Sequence, residues 1–371
     1  ELLHESGSVF VQISDENIHL VRNLLDEVFG KENLCGLIAY KTTAGLSSSF
    51  LAAAKDWLCW YGKDISKTKF NRLYVEKEAG SEGATQFGLM QLPSGEVLRA
   101  PNDETQLSQL QGQGAQRFGH DNLTSTGFAS TTDYSATFQG CEFGLPAGNV
   151  RWKTPVDGMQ RLERASRLMA VGKTLRYKRF LEDFPVYPLV DVWNDTGVSG
   201  FADKKFYAVQ TSTKVIERCL LMVSDPGDLV LDPTCGSGTT AHVAEKWGRR
   251  WITCDTSRVA VTLAKQRLMT ASYDYYELKY PHEGLKAGFI YKSVPHITLR
   301  SIANNPEIDE IWGRMHPAVE AALGNLNAAL AGTRGTFTVT EGARKGEVIA
   351  FDAKGSHTLP TGEKVPANAL L

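Results

Sequence analysis

Residues 226–255, PGDLVLDPTCGSGTTAHVAEKWGRRWITCD, constrain the fold more than any other part of the chain. Leu229-Val230-Leu231 is a short β-rich apolar run that stops at Asp232, and the turn Thr234-Cys235-Gly236-Ser237-Gly238 follows at once. Thr239 and Thr240 open a helical pattern in which Val243, Ala244 and Trp247 fall on one face. A second strand, Trp251-Ile252-Thr253-Cys254, ends on another carboxylate, Asp255. Strand, glycine turn, helix and strand, with an acid at each strand end, is the arrangement by which a parallel α/β sheet holds a nucleoside.

The residue types narrow the ligand. Gly236 and Gly238 let the backbone turn sharply and let a ligand approach without meeting a Cβ. Asp255 lies 23 residues after Asp232, about the interval at which a carboxylate reaches ribose hydroxyls. In a dinucleotide fold the first glycine follows the strand directly, so that the pyrophosphate sits on the helix N-terminus. Here Asp232-Pro233 intervenes and sets a negative charge beside any phosphate. That charge suits a cationic, phosphate-free nucleoside such as S-adenosylmethionine better than a nicotinamide dinucleotide. Ala241, at the third position of the glycine pattern, is permitted in dinucleotide folds and does not discriminate. A purely structural turn is the bland alternative.

The run Gly227-Asp228-Leu229-Val230-Leu231-Asp232-Pro233-Thr234-Cys235-Gly236-Ser237-Gly238-Thr239-Thr240 resembles the methyl-donor motif of the DNA amino-methyltransferases, the adenine-N6 and cytosine-N4 enzymes. It is most similar to the adenine-specific group that includes modification subunits of type III restriction systems. Upstream, residues 210–220 (QTSTKVIERCL) resemble the helix that precedes that motif. The resemblance implies S-adenosylmethionine as cofactor, held by Lys214, Asp232, Pro233, Gly236, Ser237, Gly238, Thr239 and Asp255. It implies transfer of a methyl group to the N6 amino group of adenine in double-stranded DNA within a restriction-modification system. A cytosine-N4 or RNA methyltransferase with the same donor site, or a non-catalytic binding module, stays open beside it.

The implied fold is α/β, a Rossmann-like methyltransferase sheet with an inserted target-recognition region and a small β-rich C-terminal extension. In the beta arrangement of this family the catalytic half of the sheet comes first, then target recognition, then the methyl-donor half. Residues 1–78 fit the catalytic half. Ser8-Val9-Phe10-Val11-Gln12-Ile13 reads as a strand, Ser14 or Asp15 as a helix cap, and Ile18, Val21, Leu24, Leu25 and Val28 as one helix face. Continuous apolar strands follow at 34–40 and 57–61, as a sheet covered on both faces requires. Residues 79–185 would be the recognition region, 186–280 the donor half and 281–371 the extension.

The catalytic signature of the family, Asp-Pro-Pro-Tyr or a close variant, is not in the chain, which contains no Pro-Pro pair. No catalytic residue is therefore nominated. The expectation is an internal fragment whose catalytic strand lies upstream of residue 1 and which transfers no methyl group by itself. In the family sheet that strand would lie between the strands at 229–231 and 9–13. Val230 and Phe10 should then not pair directly.

Net charge is −2, so no global field advertises nucleic acid. Local charge does: residues 151–179 hold nine basic side chains against Asp157 and Glu163. Arg151, Lys153, Arg161, Arg164 and Arg167 are the candidates for DNA phosphate contact, a solvated helix face being the alternative. The six cysteines form no Cys-x-x-Cys pair, and the eight histidines no ligand spacing, so neither a metal nor a disulfide framework is expected. Cys35, Cys59 and Cys254 read as small buried hydrophobes within strands. No run reaches the ~20 apolar residues of a membrane span. A cytoplasmic protein is expected, with a restriction subunit (helicase/endonuclease) or a second copy as candidate partners besides DNA.

Residues 79–148 are rich in Gly, Ser, Thr and Gln, but Phe118, Phe128, Tyr134, Phe138 and Phe143 argue against full disorder. Beyond the donor motifs, residues 290–299 read as a strand, 307–330 as a helix, and 337–339 with 348–351 as a small β element.

Overall fold

The computed structural model describes residues 2–42, 50–78, 84–127, 130–197, 211–330 and 332–369. The chain divides into two units, Glu1–Val75 with Tyr187–Ser293, and Glu76–Val186 with Val294–Leu371. Residues 281–293 cluster with the first unit and 294–371 with the second.

The first unit is α/β. Its four-stranded sheet runs Ser8–Ile13, Lys55–Gly62, Leu34–Lys41, Val192–Trp193. Lys55–Gly62 is antiparallel to both long neighbours, and Val192–Trp193 is parallel to Leu34–Lys41. The helix Ile18–Phe29 presents Leu25 to Cys59 and Tyr61 of the sheet, with Val9, Val11, Ile18, Val21 and Phe29 packed around them. Neither Ser14 nor Asp15 caps this helix. It begins after Asn17, whose side chain makes no capping bond, because the Asp15 carboxylate accepts the Trp57 indole N–H instead. The opposite sheet face, with Ile38, Tyr40, Leu58 and Trp193, packs on Val215, Cys219 and Met222 of the helix Thr213–Val223.

That same helix carries Leu220 to Val243 and Ala244 of the helix Thr239–Lys246. It therefore links the mixed sheet to a second, two-stranded parallel sheet, Leu229–Asp232 with Arg250–Thr253. Lys69 reinforces the link, its Nζ 2.8 Å from Asp225 and 2.6 Å from Asp228. Ser8–Ile13 and Leu229–Asp232 lie in different sheets, and among the described residues Phe10 pairs with Trp60 and Val230 with Trp251. One face of the parallel pair is open: Leu229, Leu231 and Ile252 are about half exposed.

The second unit is built on an antiparallel sheet of five strands, ordered Leu168–Val171, Thr174–Phe180, Gln116–Asn122, Leu89–Gln91, Val97–Arg99. Its core gathers Leu123, Phe143, Trp152, Met159, Leu162, Leu168, Leu175 and Tyr177, with Ile302 and Ala303 from the C-terminal segment. The low-complexity composition of 79–148 thus conceals a folded region, although Phe128 lies outside the described residues. The strand read at 290–299 is not one. There the Ile297 N–H donates to the Asp183 carbonyl at 2.8 Å, and Thr298 with Ser301 forms the capping box of a short helix, Leu299–Ala303. The helix Glu307–Leu330 forms as anticipated. After it come two hairpins, Thr336–Thr338 with Val348–Ala350 and Ser356–Thr358 with Lys364–Pro366.

Candidate functional site

The glycine turn after Leu229–Asp232 is held by the ends of the two parallel strands. The Cys254 N–H donates to the Asp232 carbonyl and the Cys235 N–H to the Cys254 carbonyl, each at 3.0 Å, which continues the ladder into the turn. Gly236 and Gly238 have φ of 50° and 74°, and the Gly238 N–H closes the turn on the Cys235 carbonyl at 2.8 Å. A side chain at Gly238 would carry a left-handed backbone and set its Cβ 2.8 Å from the Ala264 Cβ. The helix Thr239–Lys246 starts there, so its first N–H groups point back at the turn.

Both acids at the strand ends are on the turn. The Asp232 Oδ1 accepts the Thr234 N–H at 3.0 Å. The Asp255 Oδ2 accepts the Gly236 N–H at 2.9 Å and its Oδ1 the Ser257 N–H at 2.8 Å. These bonds, Ser257 first and then Gly236, hold the Asp255 carboxyl below the usual carboxylate range. Asp255 is therefore ionised at neutral pH, with the Thr256 N–H as a third backbone donor to its carboxylate. Pro233 and Thr234 are exposed, Gly236 half-buried, and Ser237, Gly238 and Thr239 buried. Of the residues singled out from sequence, Asp232, Pro233, Gly236, Gly238 and Asp255 are together at the turn. Ser237 and Thr239 face inward, and the Thr239 hydroxyl accepts from Arg267 at 3.0 Å.

Lys214 has a different partner. Its Nζ sits 2.6 Å from Asp195, whose carboxylate also takes two bonds from Arg218 at 2.8 and 2.7 Å. Arg218, then Lys214, hold the Asp195 carboxyl far below the usual range. Asp195 escaped the sequence reading because its partners lie 19 and 23 residues away in a helix that looked self-sufficient. Gln210, the first residue of the segment read as that helix, lies outside the described residues.

The basic run is largely committed to internal carboxylates. Arg161 and Arg164 share Asp309 at 2.8 and 2.5 Å, and Arg151 is 3.3 Å from Asp133. Arg167 grips Asp183 with two bonds, 2.5 and 2.9 Å, and its guanidinium lies over the Phe180 ring at 4.6 Å. Asp183 is 3% exposed, so this pair is structural. Lys153 alone of the five is exposed, donating one bond to the Asn122 carbonyl at 2.7 Å. The expectation for cysteine fails at Cys254, which is exposed just past the strand; Cys59 is buried and Cys35 half-buried. No metal-competent cluster occurs among the described residues, nor does any helix there have the length and apolarity to cross a membrane.

Comparison with known proteins assigns this architecture. A family model described as DNA methylase matches residues 1–266. The type II methyltransferase M.EcaI of Enterobacter cloacae is 26% identical over 278 residues, 72% of this chain and 54% of that protein. The Mod subunit of the type III restriction-modification enzyme EcoP15I of Escherichia coli is 22% identical, over 65% of this chain and 41% of its own length. The chain thus spans about half the length of these relatives. The solved structure of the M1.HpyAVI–SAM complex overlays only loosely, with a TM-score of 0.34 at 13% identity over 72% of this chain and 76% of that one.

Proposed function

From the premise that the chain belongs to the N6/N4 DNA methylase family, we propose that it serves transfer of a methyl group from S-adenosylmethionine to the N6 amino group of adenine in double-stranded DNA, within a restriction-modification system. The observation that carries this reading is the turn at 232–238 with Asp255 fixed at the second strand end. A nucleoside laid over Gly236 would meet no Cβ, and a ribose hydroxyl could donate to the acceptor capacity that Asp255 keeps beyond its backbone bonds. Asp232 supplies negative charge where a sulfonium is welcome and a pyrophosphate is not.

Lys214 enters this reading as a positioning residue rather than a direct donor contact, because its ammonium is bound to Asp195. The second unit, 76–186 with 294–371, would meet the DNA. A restriction subunit is the partner that the likeness to a type III Mod subunit suggests. The chain has no Pro-Pro motif to accept the amino protons and stack an extruded base. By itself it is expected to bind the donor and transfer nothing.

The test is radiolabelled methyl transfer to duplex DNA, run on the chain and on the longest form its gene encodes, with the product nucleosides resolved by mass spectrometry. N6-methyladenine from the long form is the expected product. N4-methylcytosine would move the reaction to the other amino group. Measurable transfer by the chain alone would place the amino-contacting group among these residues.

A further inference from the structure

The second unit contains a cleft of about 240 Å³ that no part of the donor reading uses. Its base is one face of the antiparallel pair Thr174–Phe180 and Gln116–Asn122, where Tyr177 stands opposite Asp121. Residues 296–299 form part of its rim, fastened by the bond from the Ile297 N–H to the Asp183 carbonyl. Three basic side chains line it, Lys77, Lys153 and Arg179, against one carboxylate, Asp121, which already pairs with Arg179 at 3.1 Å. The rings of Phe87, Phe180 and Phe184 line it too, and Lys77 lies 5.6 and 5.2 Å from the centroids of Phe87 and Phe184.

Two features point to a missing anion. Lys77 is held below its ordinary ammonium range, first by burial and then by the like charge of Arg179, and its ammonium donates to a neutral carbonyl, that of Phe184, at 2.5 Å. The Tyr177 hydroxyl and the Arg179 Nε are both buried without a hydrogen-bond partner among the described residues. Tyr177 is 3% exposed, and a hydroxyl left unpaired at such depth is unfavourable. Burial pushes its phenol up to about 12, so it keeps its proton and can donate.

We propose that this cleft is a phosphate subsite, in which Lys77, Lys153, Arg179 and the Tyr177 hydroxyl receive a nucleotide phosphate whose sugar or base lies against Phe87 and Phe184. The phosphate chemistry stands on the cleft alone. Its source, the DNA backbone, rests on the function proposed above. The phosphate-contacting surface thereby moves from Arg161, Arg164 and Arg167, which pair with Asp309 and Asp183, to Lys77, Lys153 and Arg179.

Fluorescence anisotropy of the full chain on a labelled duplex, titrated with salt, tests this. Lys77→Gln combined with Lys153→Gln should reduce the log–log salt slope by roughly 0.9, one phosphate's worth, which between about 50 and 200 mM salt is a roughly 3–4-fold smaller loss of affinity. Tyr177→Phe should weaken binding roughly 2–10-fold with the slope unchanged, while leaving the melting temperature of the free chain equal or higher. An unchanged slope in the double lysine variant, on a chain that binds duplex, overturns the subsite and spares the DNA reading. Calorimetry with deoxyadenosine monophosphate separates the sources. Binding of the monophosphate that Tyr177→Phe weakens, without binding of duplex, keeps the subsite and discards the DNA reading. A Tyr177→Phe chain that melts lower and binds both probes normally shows that the hydroxyl is structural and overturns the proposal.

Discussion

Replacing Arg167 separates a structural arginine from a nucleic-acid contact. In Arg167→Met the aliphatic stem stays and the charge goes. The Asp183 carboxylate, 3% exposed, then loses bonds of 2.5 and 2.9 Å and keeps, among the described residues, the Phe180 N–H at 2.8 Å. Removing one partner of a buried pair leaves an uncompensated buried charge and costs about 3–5 kcal/mol. The cation above the Phe180 ring is lost as well, and its smaller contribution falls inside that range. Native-state hydrogen exchange read by mass spectrometry at Thr174–Phe180 and Gln116–Asn122 measures this sheet directly. Protection there should fall by about 3–5 kcal/mol, while the salt slope of DNA binding stays as in the parent. Adding Asp183→Leu should restore most of the protection, since an apolar pair of similar volume replaces an ion pair at little cost. Protection within about 1 kcal/mol of the parent, together with a flattened salt slope, would refute the reasoning and return Arg167 to the phosphate surface.

Gly238→Ala should destabilise the first unit by about 1–2 kcal/mol from its left-handed backbone alone, more if Ala264 does not yield, as urea denaturation will show. Asp195 is depressed by Arg218 and then Lys214, so its contribution is complete above the ordinary carboxylate range and is lost as pH falls through and below it. Asp195→Asn should therefore lower the urea midpoint at pH 7 and flatten its decline toward about pH 3; a parallel decline in both proteins would show that the network is not linked to folding. Leu229→Lys with Ile252→Lys, on the open face of the parallel pair, should raise the concentration at which the chain aggregates and leave stability within about 0.5 kcal/mol. Light scattering and a thermal melt measure the two.

What could be read from sequence was what local chemistry specifies. The glycine turn at 232–238 needed only its two glycines, an apolar run on either side and an acid at each end, and all of these act within 30 residues. The strands at 8–13, 34–41 and 55–62 announced themselves as apolar runs because the sheet they form is packed on both faces. The failures share a cause, which is pairing at long range. Counting charges in 151–179 could not reveal Asp309, 148 residues beyond Arg161, and even Asp183, 16 residues past Arg167, lay outside the window. Asp15 looked like a helix cap until Trp57, 42 residues on, claimed it. Residues 290–299 have strand composition, but among the described residues none of them lies in a strand: the Ile290 N–H donates to Glu277, the Ile297 N–H to Asp183, and Thr298 caps a helix. Strand alternation along Thr174–Phe180 did carry an unread signal: Tyr177 and Arg179 fall on one face, and that face lines the cleft.

The central claim is that the turn at 232–238 and Asp255 form an S-adenosylmethionine site. Titration calorimetry with S-adenosylmethionine on the full chain, repeated with Asp255→Ala and with a nicotinamide dinucleotide in place of the methyl donor, tests it most directly. The account predicts one donor site, roughly ten- to hundredfold weaker in Asp255→Ala through the lost charged hydrogen bonds to ribose, and weak or no binding of the dinucleotide beside Asp232. Equal donor affinity in parent and variant, or tighter binding of the dinucleotide, would contradict it.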